Sequence, residues 1–473
     1  MERKWKVLGI TGVAVFMGFL DVTIVNVAFP ELERDFEGAS RADLAWVLNA
    51  YNILFAALLV PAGRLADIVG RKRMFLVGIG VFLTASLLCG IAGSVETLVA
   101  ARLLQAVGGA ILVPTSLGLL LPEFPASQRA TATAIWTATG AVAAALGPSL
   151  GGLLVDAGGW RWAFFVNLPI GIAALVPARR LLNEVREREG ARLPDLFGSL
   201  LLVVAVALVA LGIVKGPEWG WESTPVLGSI AAGLALLPLV VWRSLRHPAP
   251  VIELALFKTR SFAVANAGML TFSAAFYALL LASILFTTQV WGWSILEAGV
   301  AVTPGPATAA LTAPLGGLLS DRFGQRVVAV PGALLFAAGC LFFAASMAAT
   351  PDYTTELLPG QLLTGAGVGL SFAAWGSAAV AGLPPARFAT GSAVLACLRQ
   401  IGAVLGIAVL VAILESASPA DPVAPFKDAW TLMAATAVVT AAIALALGRV
   451  RARPATEHRL SADPNRRAVG GAA

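Results

Sequence analysis

The chain has 473 residues, of which 58% are hydrophobic and 13% charged, and its formal net charge is +6. Soluble globular domains are about 25% charged, so the composition excludes an ordinary soluble enzyme and makes lipid bilayer, not nucleic acid, the expected surroundings. The three cysteines, Cys89, Cys340 and Cys397, lie in apolar runs and read as packing residues, while His247 and His458 fall in loops, so no metal site is expected.

A membrane-crossing helix needs about 20 mostly apolar residues. In chain order the qualifying segments are 7–28, 44–62, 74–92, 97–121, 131–155, 160–178, 196–214, 225–241, 262–289, 298–319, 327–347, 357–381, 389–414 and 430–447, fourteen in all. The basic N-terminus ahead of the first run imitates a signal peptide, but no small-residue cleavage pattern follows, so the run is read as a retained first span. An even number of spans places both termini on one side. With the termini in the cytoplasm, cytoplasmic segments hold 26 Lys and Arg, against five in external loops; the positive-inside rule therefore sets this orientation. Three Trp-x-Trp pairs, Trp160/Trp162, Trp219/Trp221 and Trp291/Trp293, fall at expected external boundaries and read as an aromatic belt.

The first span holds Asp21 in the run FLDVTIVNVAFP. At 1.5 Å per residue it lies about 21 Å from the cytoplasmic end of the span. Arg102, in the fourth span, enters from the other side and reaches nearly the same depth, about 7–10 Å below the external surface. The two are expected to face each other or share water. Two readings stand for each residue. Arg102 either snorkels to the external headgroups or works in the interior. Asp21 is either held permanently in an ion pair, or its proton affinity switches as water access and the distance to Arg102 change. Arg399 sits near the midplane of span 13, about 16 Å from its start, where it needs a partner, a polar cavity or backbone carbonyls.

The chain repeats itself. GRLADIVGRKR at 63–73 matches GLLSDRFGQR at 317–326, pairing Gly63, Asp67, Gly70 and Lys72 with Gly317, Asp321, Gly324 and Arg326; Gln325 stands opposite Arg71. RLLQAVGG from Arg102 matches QLLTGAGVG from Gln361, and Ala143/Gly147 match Gly402/Gly406. Two related sets of six spans with two inserted spans explain these offsets, and internal repeats in a polytopic chain are typical of transporters, whose site lies at the repeat interface. The expected organisation is an N-terminal bundle at 1–180, a linker with two inserted helices at 181–260, a C-terminal bundle at 261–448 and a disordered tail at 449–473. In span 5, Ala143, Gly147 and Gly151 form a small-residue stripe beside Pro148 and Gly152, which lets another helix approach closely.

These motifs together give the sequence its likeness. The chain resembles the major facilitator superfamily, and within it the 14-span drug:proton antiporters of the EmrB/QacA type, through LDVTIVNVAFP, GRLADIVGRKR, RLLQAVGGA, GPSLGG and RQIGAVLG. The resemblance implies an all-α polytopic membrane protein with the major facilitator fold, two six-helix bundles plus two inserted helices. It implies proton coupling through Asp21 and Arg102, and a conformational latch at Gly63, Asp67, Gly70, Arg71, Lys72 and Asp321. Ala143, Gly147, Pro148, Gly151 and Gly152 would form the antiporter seam between halves. Topology alone also explains the basic residues of the latch, and packing alone the seam.

Intramembrane polar or aromatic residues that are candidates for the substrate cavity are Asn26, Tyr51, Asn52, Gln105, Trp136, Tyr277, Gln361, Trp375 and Arg399. The function implied is proton-driven export of small amphipathic drugs, antibiotics or toxic metabolites from the cell across the cytoplasmic membrane, by a protein expected to be a monomer. Uptake symport on the same fold is the alternative, and GPSLGG argues against it. No nucleophile–base set, HExxH or DDxxD occurs within the spans, and no phosphate-cradling GxxxxGK sequence occurs, so neither an intramembrane enzyme nor ATP-driven pumping is expected, and no cofactor.

Overall fold

A computed structural model describes residues 2–125, 128–186, 193–383, 387–415 and 421–447. The tail expected to be disordered and the middle of the charged linker, 187–192, lie outside the described residues. Among the described residues all regular structure is helical, as hydrocarbon demands of a chain that must satisfy its own backbone groups without sheet closure.

The helices are α1 (Arg3–Asp35), α2 (Arg41–Val69), α3 (Arg71–Gly90), α4 (Val95–Leu120), α5 (Arg129–Gly158), α6 (Trp162–Phe165), α7 (Asn167–Leu181), α8 (Leu196–Trp219), α9 (Thr224–Arg246), α10 (Arg260–Leu285), α11 (Ile295–Val302), α12 (Pro304–Phe323), α13 (Gln325–Ser346), α14 (Leu358–Ala381), α15 (Phe388–Glu415) and α16 (Ala424–Leu445). Thirteen helical stretches among the described residues are long and apolar enough to cross a membrane. The remaining expected span, 298–319, is broken between α11 and α12 at Thr303. Its second piece begins Pro-Gly-Pro and also holds Pro314, two further glycines, Thr308 and Thr312, so it lacks the hydropathy of its neighbours. Span 160–178 is likewise split, into α6 and α7. α1 overruns the apolar segment by a turn or more at each end, because its polar flanks remain helical beyond the hydrocarbon.

The sequence repeat is also a repeat of packing. α1 lies on α5, α3 on α4 and α2 on α4; in the second set α10 lies on α15, α13 on α14 and α12 on α14. Gly70 (φ +121°) ends α2 and Gly324 (φ +95°) ends α12, so the matched glycines make the same left-handed turn. The two sets meet along two lines, α2 against α15 and α5 against α11 and α12. The inserted helices α8 and α9 pair with each other, and α8 rests on both α2 and α15, covering one of those lines. Lys215 of α8 fastens it to α2 through Asp43 at 2.9 Å, and also reaches Glu218 at 2.7 Å.

The two ends of the bundle differ. At one end α2, α4 and α11 start on capping boxes, Ser40/Asp43, Ser94/Thr97 and Ser294/Glu297. Here the sets are tied together: Arg41 donates to Glu33 (2.7 Å) and to Gln289 (2.8 Å), Gln289 donates to Glu33, and the Arg41 amide donates to Glu415 (3.1 Å). The opposite end carries Arg3, Lys4, Arg71, Lys72, Arg73, Arg179 and Arg180. The aromatic-belt reading holds for Trp162, Trp219 and Trp221, which are exposed, but not for Trp160. Trp160 is 1% exposed, donates to Asp35 at 2.7 Å and packs edge-on to Phe164. Trp291 is also buried, donating to the Ala348 carbonyl at 2.9 Å. The Trp160 ring ties a loop to the end of α1 and the Trp291 ring joins two loops, uses that sequence position alone does not separate from a lipid-facing one.

Candidate functional site

Asp21 and Arg102 are hydrogen-bonded at 2.5 Å, with side chains 0% and 1% exposed. Snorkelling of Arg102 to a headgroup is therefore excluded in this conformation. Helices α1 and α4 set the pair, and four others enclose it. Asp21 Oδ1 accepts from Gln105 Nε2 (2.8 Å) and Asn167 Nδ2 (3.2 Å), while Oδ2 accepts from Arg102 Nη1. Arg102 Nη1 also donates to Gln105 Oε1 (2.5 Å) and Nε to the Val47 carbonyl (3.0 Å). The guanidinium lies 4.1 Å from the Tyr51 ring centroid and 5.8 Å from that of Phe164, in cation–π contact. Ser86 Oγ accepts from Gln105 (2.9 Å) and Asn167 (3.4 Å).

Arg102 and Gln105 share a face because they are three residues apart on a helix. With ring faces, a carbonyl and amides closing around it, the pair is dry and tightly specified. A buried pair of this kind adds little net stability over an apolar substitute, but removing one partner costs about 3–5 kcal/mol. Its geometry therefore fits a site that is expensive to disturb.

Residues expected to form the latch, Asp67 and Arg71 among them, build a second cluster at the basic end. Asp67 pairs with Arg71 at 2.8 Å, and Arg71 Nη1 donates to the Gly118 carbonyl at 3.0 Å, joining the α2–α3 turn to α4. Glu184, just after α7, accepts from the backbone amides of Lys72 (2.9 Å) and Arg73 (3.2 Å), an anion on the positive end of α3. Arg186 donates to the Ile68 carbonyl at 2.6 Å. Gly63 approaches Pro114 of α4. In the second copy Asp321 is exposed and forms no ion pair among the described residues, and Gln325 donates to Ser377 at 3.2 Å.

The span-5 motif divides between two neighbours. Gly147 abuts Thr23, and Gly151 abuts Ile24 and Val27, all on α1. Ala143, in the same stripe, is fully buried. Pro148 and Gly152 face the other set instead: the Pro148 carbonyl touches Gly299, and Gly152 meets the backbone of Ile295 and Leu296. The stripe expected as one seam between halves is thus two, because positions 143, 147 and 151 share one helix face and 148 and 152 the next. Ser149 bonds Thr303 across the same line.

The expected cavity residues scatter. Tyr51 and Gln105 belong to the Asp21 cluster. Asn26 is buried and donates to its own helix at Val22. Trp375 is fully buried against Gly268, Gln361 is buried beside Gly305, and Trp136 donates to Ser116 at 3.2 Å. Asn52 and Tyr277 do converge between the sets, through Gln400: Gln400 Nε2 donates to Asn52 Oδ1 (3.0 Å), and the Tyr277 hydroxyl meets Gln400 Oε1 at 3.5 Å. Arg399, next to Gln400, lies over the Phe19 ring of α1 at 5.5 Å.

A family model described as the Major Facilitator Superfamily matches residues 11–281 and 265–470. The chain belongs to the major facilitator superfamily. It is a multi-span membrane transporter rather than an enzyme. It is 36% identical to the multidrug resistance protein Stp of Mycobacterium tuberculosis over 407 residues, 86% of this chain and 75% of that protein. It is 33% identical to the methylenomycin A resistance protein of Streptomyces coelicolor over 457 residues, 96% of this chain and 91% of the other. Among solved structures, a bacterial homologue of the human lysosomal transporter Spinster, inward-facing and unoccupied, superposes with a TM-score of 0.67 at 18% identity, covering 95% of this chain and 98% of that one; this likeness speaks to the fold.

Several residues of this transporter's polar centres escape sequence reasoning. Ser86, Asn167, Glu184 and Gln400 come from four separate segments. For Ser86 and Asn167 a lone polar residue in an apolar run is the only signal, and it does not say which charge it serves. Glu184 is one of several charges in its segment, and Gln400 is marked only by standing next to Arg399.

Proposed function

We propose that this transporter exports drugs, antibiotics or toxic metabolites from the cytoplasm in exchange for protons, by alternating access. The observation that carries the reading is the Asp21–Arg102 pair, the one acid–base pair among the described residues with both side chains essentially unexposed. Export is supported by the relatives named for multidrug and methylenomycin A resistance.

The excess of Lys and Arg on the terminal side supports cytoplasmic termini. The end sealed by Glu33, Arg41, Gln289 and Glu415 is then external, and the chain rests closed to the outside. In that state Asp21 is bonded to Arg102 and the carrier takes substrate from the cytoplasm. When the external end opens, water reaches α1 and α4. Protonation of Asp21 weakens its hold on Arg102 and resets the carrier. Asp67–Arg71, with Glu184 across the α3 N-terminus, acts as the latch on the cytoplasmic side, and Pro148 with Gly152 provides the cross-half line along which the sets rock.

The test uses everted membrane vesicles with an acid lumen and a panel of labelled compounds. An antiporter accumulates substrate in the lumen as protons leave. A proton-coupled uptake symporter drives substrate out of the lumen under the same gradient, and that result would replace the export reading.

A further inference from the structure

Among the described residues the interior of the spans holds three charges: Asp21, Arg102 and Arg399. Two cancel. Asp21 and Arg102 bond each other, are unexposed, and are covered by Tyr51 and Phe164. Arg399 has no such partner. It lies in the middle of α15, no carboxylate pairs with it among the described residues, and its buried Nε has no hydrogen-bond partner. Its guanidinium lies over the Phe19 ring, a residue of the opposite set, half-buried and backed by Gly140 of α5.

An arginine deep in a membrane protein persists where it finds an anion, carbonyls or a water-filled cavity. Gln400, the neighbour of Arg399, is bonded to Asn52 on α2 and lies near Tyr277 on α10, so this part of α15 packs against the opposite set. Tyr277, whose hydroxyl meets Gln400, packs edge-on to Phe276, which packs edge-on to Phe372, with ring centroids 5.1 and 5.2 Å apart. A planar guanidinium with free donors presents a fork that matches a carboxylate bidentately.

We propose that Arg399 is the anion subsite of the transported substrate, and that the substrate class is aromatic organic anions, with an ionised acid group on Arg399 and a ring body against Phe19. This deepens the export reading and rests on it for the word substrate. The charge arithmetic removes Asp21 as an attraction for cations, since Arg102 neutralises it, and leaves the site one positive charge.

The test is equilibrium binding to the purified full-length protein in detergent, with three fluorescent probes that share a ring system: 9-anthracenecarboxylate, its methyl ester, and 9-anthracenemethylammonium. The wild type is expected to bind the carboxylate at least tenfold more tightly than the ester, and the ammonium most weakly. Arg399→Gln removes the advantage of the carboxylate and leaves the ester within about twofold, while Arg399→Lys keeps part of it. An ammonium preference, no saturable binding of the carboxylate, or equal weakening of all three probes in Arg399→Gln overturns the proposal. The wild-type ranking alone decides the matter if a variant does not fold. Binding reads neither protons nor direction, so failure of the vesicle experiment with an intact ranking removes the export reading and leaves the anion subsite standing.

Discussion

Replacing Asp21 with Asn keeps the shape of the side chain and removes its charge. Two charges about 4 Å apart at an effective dielectric of 20 interact by about 4 kcal/mol. The Asn amide still offers an oxygen to Arg102, and Gln105, the Val47 carbonyl and the Tyr51 ring remain. The net loss is therefore placed at about 2–4 kcal/mol, near the lower half of what breaking a buried pair costs. Arg102→Gln should lose a similar amount by stranding the carboxylate. The double variant Asp21→Asn with Arg102→Gln leaves no unpaired charge and should lose less than the two single losses added together, with a coupling of about 2 kcal/mol. The assay is built into the chain: Cys89, Cys340 and Cys397 are all buried, so a thiol-reactive fluorogenic dye reports unfolding on heating. At about 2 °C per kcal/mol for a large domain, each single variant should melt about 4–8 °C lower, and the double should melt about 4 °C above the temperature that the two falls added together would give. Single variants that melt with the wild type, or a double variant whose loss is the plain sum of the two, would refute the claim that this pair is dry and mutually dependent.

Four further outcomes follow from the geometry. Asp67→Asn breaks an i,i+4 pair whose members are both more than a quarter exposed, so thermal stability should fall by no more than about 0.5 kcal/mol, while substrate efflux slows; Asp321→Asn, with no partner among the described residues, should slow it less. Gly70→Ala forces a side chain into a φ of +121° and toward Glu184, and should cost about 1–2 kcal/mol in the same dye melt, whereas Gly317→Ala, with open space around it, should be neutral or slightly stabilising. Gly406→Val drives a side chain into the Ala274 backbone of α10, and should lower the yield of folded protein on size exclusion far more than Gly317→Ala. Cysteines at Glu33 and Gln289, joined by a short reducible cross-linker, should arrest transport until reductant is added, because those side chains are bonded across the sealed end; unaltered transport after cross-linking would show that this end need not open.

The helical frame was legible because lipid leaves one solution to the backbone problem; the expected span at 298–319 is present as two pieces, α11 and α12, with prolines and threonines lowering the hydropathy of the second. The repeat was legible down to its turn, since Gly70 and Gly324 have the same backbone use. The depth of Asp21 and Arg102 followed from the helical rise alone, and their contact agrees with it. What could not be read was rotation about helix axes. Tyr51 and Gln105 were expected to line a cavity, yet they enclose the ion pair. Trp160 was expected in the lipid belt, yet it braces Asp35. Gly147 and Gly152 sit five residues apart in one motif and face different halves of the molecule. Such choices are made by neighbours far away in sequence, and Asn167, 146 residues from the carboxylate it bonds, is the plainest example.

The central claim, that proton coupling passes through Asp21, is tested most directly by comparing two fluxes of the Asp21→Asn protein in proteoliposomes. The account predicts that equilibrium exchange of substrate across the membrane continues, while accumulation driven by a pH gradient is lost. Gradient-driven accumulation at the wild-type level in that variant would contradict it.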